Sequence, residues 1–214
     1  MGTSEHSQAS QSDTLPIVLL VIVLVVLTWS GITPHDRFTW ILEVAPALIA
    51  LPILIFTYRR FRFTTLVYVL IAIHMMILMV GGKYTYAEVP LGYWMKDWFG
   101  FARNHYDRIG HFAQGFVPAM VARELFIRVG AVRRSDWVPF IVVCFCLALS
   151  ASYELVEWIT AELTGTAADA FLGTQGDVWD TQWDMCFALI GAVTALLLLS
   201  KFHNRQLAGV RRKR

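Results

Sequence analysis

Six stretches of this sequence are apolar and long enough, or nearly so, to cross a bilayer, and nothing else in it limits the fold as severely. They cover residues 15–30, 39–58, 63–82, 105–128, 137–159 and 176–199. A hydrocarbon core of about 30 Å needs about 20 residues of helix. Inside it every backbone N–H and C=O must find a partner within the protein, which leaves helices as the solution for runs of this kind. The composition agrees: 57% of the 214 residues are hydrophobic, 16% are charged, and the mean hydropathy is +0.54. The expected fold is all-α, a polytopic transmembrane helix bundle of about six spans and not a soluble apolar core. The lipid bilayer is then its first partner.

The expected organisation is a single transmembrane helical domain over 15–200. A polar, disordered tail at 1–14 precedes it, and a basic cytoplasmic tail at 201–214 follows. A secretory signal peptide opens with basic residues. Residues 1–14 contain no Lys or Arg, so the first apolar run is read as a retained helix. The net charge is only +2, but Arg211, Arg212, Lys213 and Arg214 close the chain. After an apolar helix such a cluster reads as an anchor beside anionic headgroups and not as a nucleic-acid patch. Arg59, Arg60 and Arg62 mark one connection, Arg128, Arg133 and Arg134 another, while residues 160–176 hold no Lys or Arg. The positive-inside rule then places both termini in the cytoplasm. Cys144, Cys146 and Cys186 all fall inside apolar runs without a CxxC pair, so neither a disulfide framework nor a zinc knuckle is expected.

The polar residues inside the runs carry the functional expectation. Asp177, Asp180 and Asp184 are spaced three and four apart, which puts three carboxylates on one stripe of a helix. Entering a membrane, each needs a cation, a metal, a proton or water. Asp107, His111 and Gln114 share a face at i, i+4 and i+7, and Glu154 and Glu157 share another. With alternating spans, all three groups fall near the outer leaflet. Glu43 falls at the same level and reads as a headgroup-level carboxylate. His74 reads as hydrogen-bonded packing. The connection 83–104 is crowded with Tyr, Trp and Phe. It reads as an interfacial segment, or more sharply as a lid over a substrate.

Three blocks together resemble a known family: Tyr106-Asp107-Arg108-Ile109-Gly110-His111-Phe112, Tyr153-Glu154-Leu155-Val156-Glu157-Trp158, and Gly176-Asp177-Val178-Trp179-Asp180-Thr181-Gln182-Trp183-Asp184-Met185. They are similar to the YjdF-type bacterial inner-membrane proteins over roughly residues 40 to 200. The resemblance implies a multi-pass protein of the inner membrane in the cell envelope, from a family without an established biochemical function. A more distant likeness is to the VanZ family. It rests on Asp107, Arg108 and His111, then Glu154 and Glu157, then Asp177 and Asp184, and it departs from that family's pattern near Asp184, where Asn is common.

Three functional classes remain open. In a metal-dependent enzyme acting on a lipid-linked envelope substrate, Glu154, Glu157, Asp177, Asp180 and Asp184 would hold Mg²⁺, Mn²⁺ or Ca²⁺. Asp107 would orient His111 as general base, and Arg108, with Gln114, would hold the substrate. In a proton- or cation-coupled carrier or flippase the same groups would form a relay. In a non-catalytic envelope module the acids would pair with Arg108 and Arg123 to lock helices together. No phosphatase or protease motif is present to decide whether the chain is an enzyme.

Overall fold

The structure, a computed structural model, describes residues 13–132, 134–165 and 169–211. Among them every regular element is helical. The long helices are α1 (Thr14–Gly31), α2 (Arg37–Thr57), α3 (Thr65–Tyr84), α5 (Tyr106–Val129), α6 (Val138–Thr164) and α8 (Asp180–Arg211). Two short ones, α4 (Pro90–Phe99) and α7 (Asp169–Leu172), lie in the connections. Residues 1–12 of the expected polar tail and 212–214 of the basic one lie outside the described residues.

Five of the six long helices are apolar enough to cross a membrane: α1, α2, α3, α6 and α8. The sixth, α5, has 24 residues, and half of them are buried, including Arg108, His111, Arg123 and Glu124. Its polar groups face other helices because lipid offers them no partner. It packs against α3, α6 and α8, while α1 and α2 pack on α3.

Small residues set the closest contact, between α5 and α8. A Cβ placed on Gly115 would stand 1.7 Å from the Ala188 carbonyl oxygen, and one on Gly191 would stand 2.1 Å from that of Phe112. Ala188, Ala192 and Ala195 are fully buried along the same line. Without a hydrophobic drive between helices in lipid, such close backbone approach supplies the packing energy.

At one end of the bundle a buried polar knot ties three helices. The Glu124 carboxylate accepts bonds from the Thr64 backbone N–H (3.0 Å) and hydroxyl (2.7 Å), from Arg128 (2.6 Å) and from His203 Nε2 (3.0 Å). Arg123 donates to His203 Nδ1 at 2.8 Å and to Asn204 at 2.6 Å. Glu124 and His203 are fully buried. The Leu66 N–H donates to Gln206 Oε1 at 3.0 Å, so the stretch after 200 continues α8 as part of the bundle up to Arg211, beyond the expected domain limit. The basic residues there read as a tail because their neighbours' partners lie 79 to 140 positions away in sequence.

Three prolines sit inside helices: Pro46 and Pro52 in α2 and Pro118 in α5. A proline has no N–H to give the carbonyl four residues back. The Leu42 carbonyl, freed by Pro46, faces the Tyr153 hydroxyl of α6, which donates to it at 3.5 Å.

Replacing Gly115 by Leu is expected to separate α5 from α8. Overpacking of this kind costs about 1–3 kcal/mol and occasionally more. Thermal melting in detergent should show the loss, while Gly209→Ala, at a position with open space around it, should melt like the unaltered protein.

Candidate functional site

The opposite end of the bundle gathers the residues singled out by the sequence, but it sorts them into two groups. The first is built on arginine. Arg108, one turn into α5, bonds Asp180 (2.8 Å), Asp184, Asp177 (3.3 Å) and the Asp180 carbonyl (3.2 Å). Arg103, in the connection ahead of α5, bonds Asp180 at 2.5 Å and the Thr174 carbonyl, and approaches Asp177 at 3.4 Å. The side chains of Arg108, Asp180 and Asp184 are nearly removed from solvent. Asp177 precedes α8. It caps the turn by accepting from the Trp179 N–H at 3.0 Å. The three aspartates therefore converge as expected, although only two of them belong to the helix.

Asp177 and Asp180, expected among the metal ligands, here pair with two planar, always-charged guanidinium forks. Arg108, expected to hold a substrate, here binds three carboxylates. Arg103 was not singled out in the sequence. It sits in a loop with no helical spacing to tie it to α8.

The second group surrounds His111. Its Nε2 lies 3.3 Å from Asp107 Oδ1 and 3.7 Å from Asp184 Oδ1. Its Nδ1 lies 3.0 Å from Gln114 Oε1 and 3.8 Å from Glu154 Oε1. Both ring nitrogens thus face oxygen. That arrangement suits a doubly protonated ring, or a cation shared with the carboxylates. Glu154 Oε1 is buried without a hydrogen-bond partner among the described residues. Two sets of potential ligand atoms, Asp107–His111–Asp184 and His111–Glu154–Glu157, each fit within 4.8 Å. Asp184 belongs to both groups of the site, bonded to Arg108 on one side and facing His111 on the other.

The His111 group heads a cleft of about 610 Å³ between α2, α3, α5 and α6. Glu43, His74, Tyr86, Asp107, Gln114 and Glu157 line its polar end, and apolar side chains line the rest. Glu43 is only 5% exposed. It is a buried cleft carboxylate, because α2 packs it against α3 beside Gly82. His74 also departs from expectation. Its Nε2 is buried without a partner among the described residues, and the ring lines the cleft. Tyr86 comes from the aromatic connection, wedged where Gly81 and Gly110 leave room for its ring. Further along that connection, Trp94, Trp98 and Phe99 of α4 are exposed. No periodicity in the sequence marks Glu43, His74 or Tyr86. They meet only when α2 and α3 fold against α5.

Long apolar helices around a buried, acid-rich site define a polytopic membrane protein with a polar core. The chain belongs to the family described as "Predicted membrane protein (DUF2238)", whose model matches residues 15–205. It is 51% identical over 195 residues to the inner membrane protein YjdF of Escherichia coli (strain K12), covering 90% of this chain and 93% of that relative. The YjdF-type resemblance and the inner-membrane location therefore hold, while the VanZ likeness is not shown. No solved structure matches.

Arg108→Gln would leave Asp184 buried and without its arginine. Breaking a buried pair by removing one partner costs about 3–5 kcal/mol. The variant is expected to melt well below the unaltered protein in detergent, with Arg108→Lys intermediate because a lysine restores the charge but not the fork.

Proposed function

We propose that this protein is an inner-membrane enzyme that uses a divalent cation on a lipid-borne substrate. The observation that carries this reading is the pair of overlapping ligand sets around His111, with Glu154 Oε1 buried and unpartnered. Glu43, Asp107, Glu154 and Glu157 lie around one imidazole, and both nearby arginines are spent on the aspartates of α8 and its leading turn. Buried carboxylates in such excess need positive charge from elsewhere. Hard oxygen donors with a single imidazole favour Mg²⁺, Mn²⁺ or Ca²⁺ over softer ions.

In this reading Glu154 and Glu157 would hold the cation beside His111, since Asp184 is bonded to Arg108 as Asp177 and Asp180 are. Asp107 orients His111, and the ring, with oxygen at both nitrogens, would act as the general acid that gives a proton to the leaving group. Gln114, bonded to the other face of the ring, fixes its rotation. Arg108 and Arg103 position α8 and touch no substrate. The half of the constellation built on arginine thus behaves as the helix-locking alternative would have it. The half built on His111 is where chemistry is placed. The substrate reaches it from the bilayer, along the cleft.

The test is Mn²⁺ binding to detergent-purified protein, read by elemental analysis and by melting temperature. At a hundredfold excess over its dissociation constant, a bound ion adds about 2.7 kcal/mol, and for a chain of this size each kcal/mol moves the midpoint by about 2–4 °C. A Glu154→Gln, Glu157→Gln double variant should keep its metal-free melting temperature and lose both the stoichiometric ion and the shift. An unaltered protein that neither retains Mn²⁺ nor melts higher with it would sink the reading.

A further inference from the structure

The cleft below His111 has a shape that names its occupant. Its walls come from four helices, three of whose contacts are closed: α2 packs on α3, α3 on α5, and α5 on α6. The fourth side, between α2 and α6, is bridged at the polar end by the Tyr153–Leu42 hydrogen bond. Below that bridge, Ile53 of α2 and Phe145 and Leu149 of α6 line the cleft while remaining 55%, 44% and 40% exposed. In a bilayer these are lipid-facing surfaces, so the mouth opens sideways into hydrocarbon and not toward water.

The cleft is also deep. Along α2 it runs from Glu43 to Thr57, a rise of about 21 Å at about 1.5 Å per residue. One leaflet offers about 15 Å, half of the roughly 30 Å core. The polar end is rich in carboxylates, so a bare anionic head is repelled there unless a cation accompanies it.

We infer that the cleft takes up one long hydrocarbon chain of a membrane amphiphile, entered sideways between α2 and α6, with the amphiphile's head beside Glu43 and His111. This rests on the reading above for the chemistry of the head, but not for the binding of the chain. A chain in this cleft reaches past the bilayer midplane, so a long chain fills it and a short one leaves apolar wall exposed. Each buried methylene contributes about 0.8 kcal/mol relative to water. Relative to lipid the gain is smaller, and what the cleft adds is alignment of one end with the site.

The test uses a long-chain alcohol carrying a photoreactive diazirine near its middle, because a neutral head separates the chain from the charge of the site. The full protein in lipid nanodiscs is irradiated, and labelled peptides are mapped. Labelling is expected on the α2, α5 and α6 residues of the cleft, suppressed by an unlabelled long-chain alcohol and hardly by a short-chain one. Ala50→Phe, which fills the cleft from α2, and Leu149→Trp, which plugs its mouth, should each cut this labelling about tenfold, equivalent to about 1.4 kcal/mol. Leu197→Trp, on an exposed face of α8, should leave it unchanged. Mn²⁺ binding in the plugged variants should persist, which separates the two readings: loss of metal in the Glu154→Gln, Glu157→Gln variant with labelling intact supports the chain site on its own. Labelling spread evenly over all lipid-facing helices, or undiminished in both plugged variants, overturns the inference.

Discussion

The interaction on which the rest of the structure depends is the embrace of Arg108 by Asp177, Asp180 and Asp184. An unpaired charge at this position would cost several kcal/mol to bury. Arg108 lies on a helix whose polarity would otherwise keep it out of the bilayer. Its partners lie 69 to 76 positions away. The pairing therefore does more than neutralise a cation. It allows α5, the least lipid-like of the long helices, to take the centre of the bundle, and it brings Asp184 to within reach of His111. The second fork, from Arg103, holds the loop ahead of α8 in the same cluster through the Thr174 carbonyl.

That central place is also what the glycines and alanines allow. Gly115 and Gly191 let two backbones approach to distances that no side chain would tolerate. The result is a tight axis of α5 and α8, with α6 against both and α3 on α5. On this axis the residues of the candidate site project toward α2 and α6. The site then sits at the head of a cleft. Rigid support on one side and an open wall on the other are what a binding site within a membrane requires.

The fold was largely legible because hydrocarbon permits so few solutions. Helix count, helical class and the alternating arrangement all follow from the length of the runs. The convergence of Asp107, His111, Glu154 and Asp184 was legible too, since helical spacing and alternation place them at one end. The division of labour among the acids was not. Spacing puts Asp180 and Asp184 on one stripe, but only the packed position of Arg103 and Arg108 decides that Asp180 faces guanidinium while Asp184 also faces His111. Glu43 and His74 escaped for a related reason. A single polar residue in an apolar run has no period, so its depth and direction depend on helix rotation, which the sequence leaves open. His203 shows the same limit at the other end: surrounded by basic residues, it looks like part of a tail, yet it is buried against Glu124.

The two ionic clusters join the same pair of helices at opposite ends, Arg108 with Asp184 and Glu124 with His203. On α8 the two anchor points are 19 residues apart, about 28 Å along the axis, close to the thickness of the hydrocarbon itself. A slip of α8 past α5 by one turn, about 5.4 Å, would break both clusters at once and drag charge toward the bilayer centre. The pair thus has one permitted register, fixed at both ends. That pair forms the fixed side of the cleft, while across it α2 and α6 are joined at the polar end by the 3.5 Å Tyr153–Leu42 hydrogen bond.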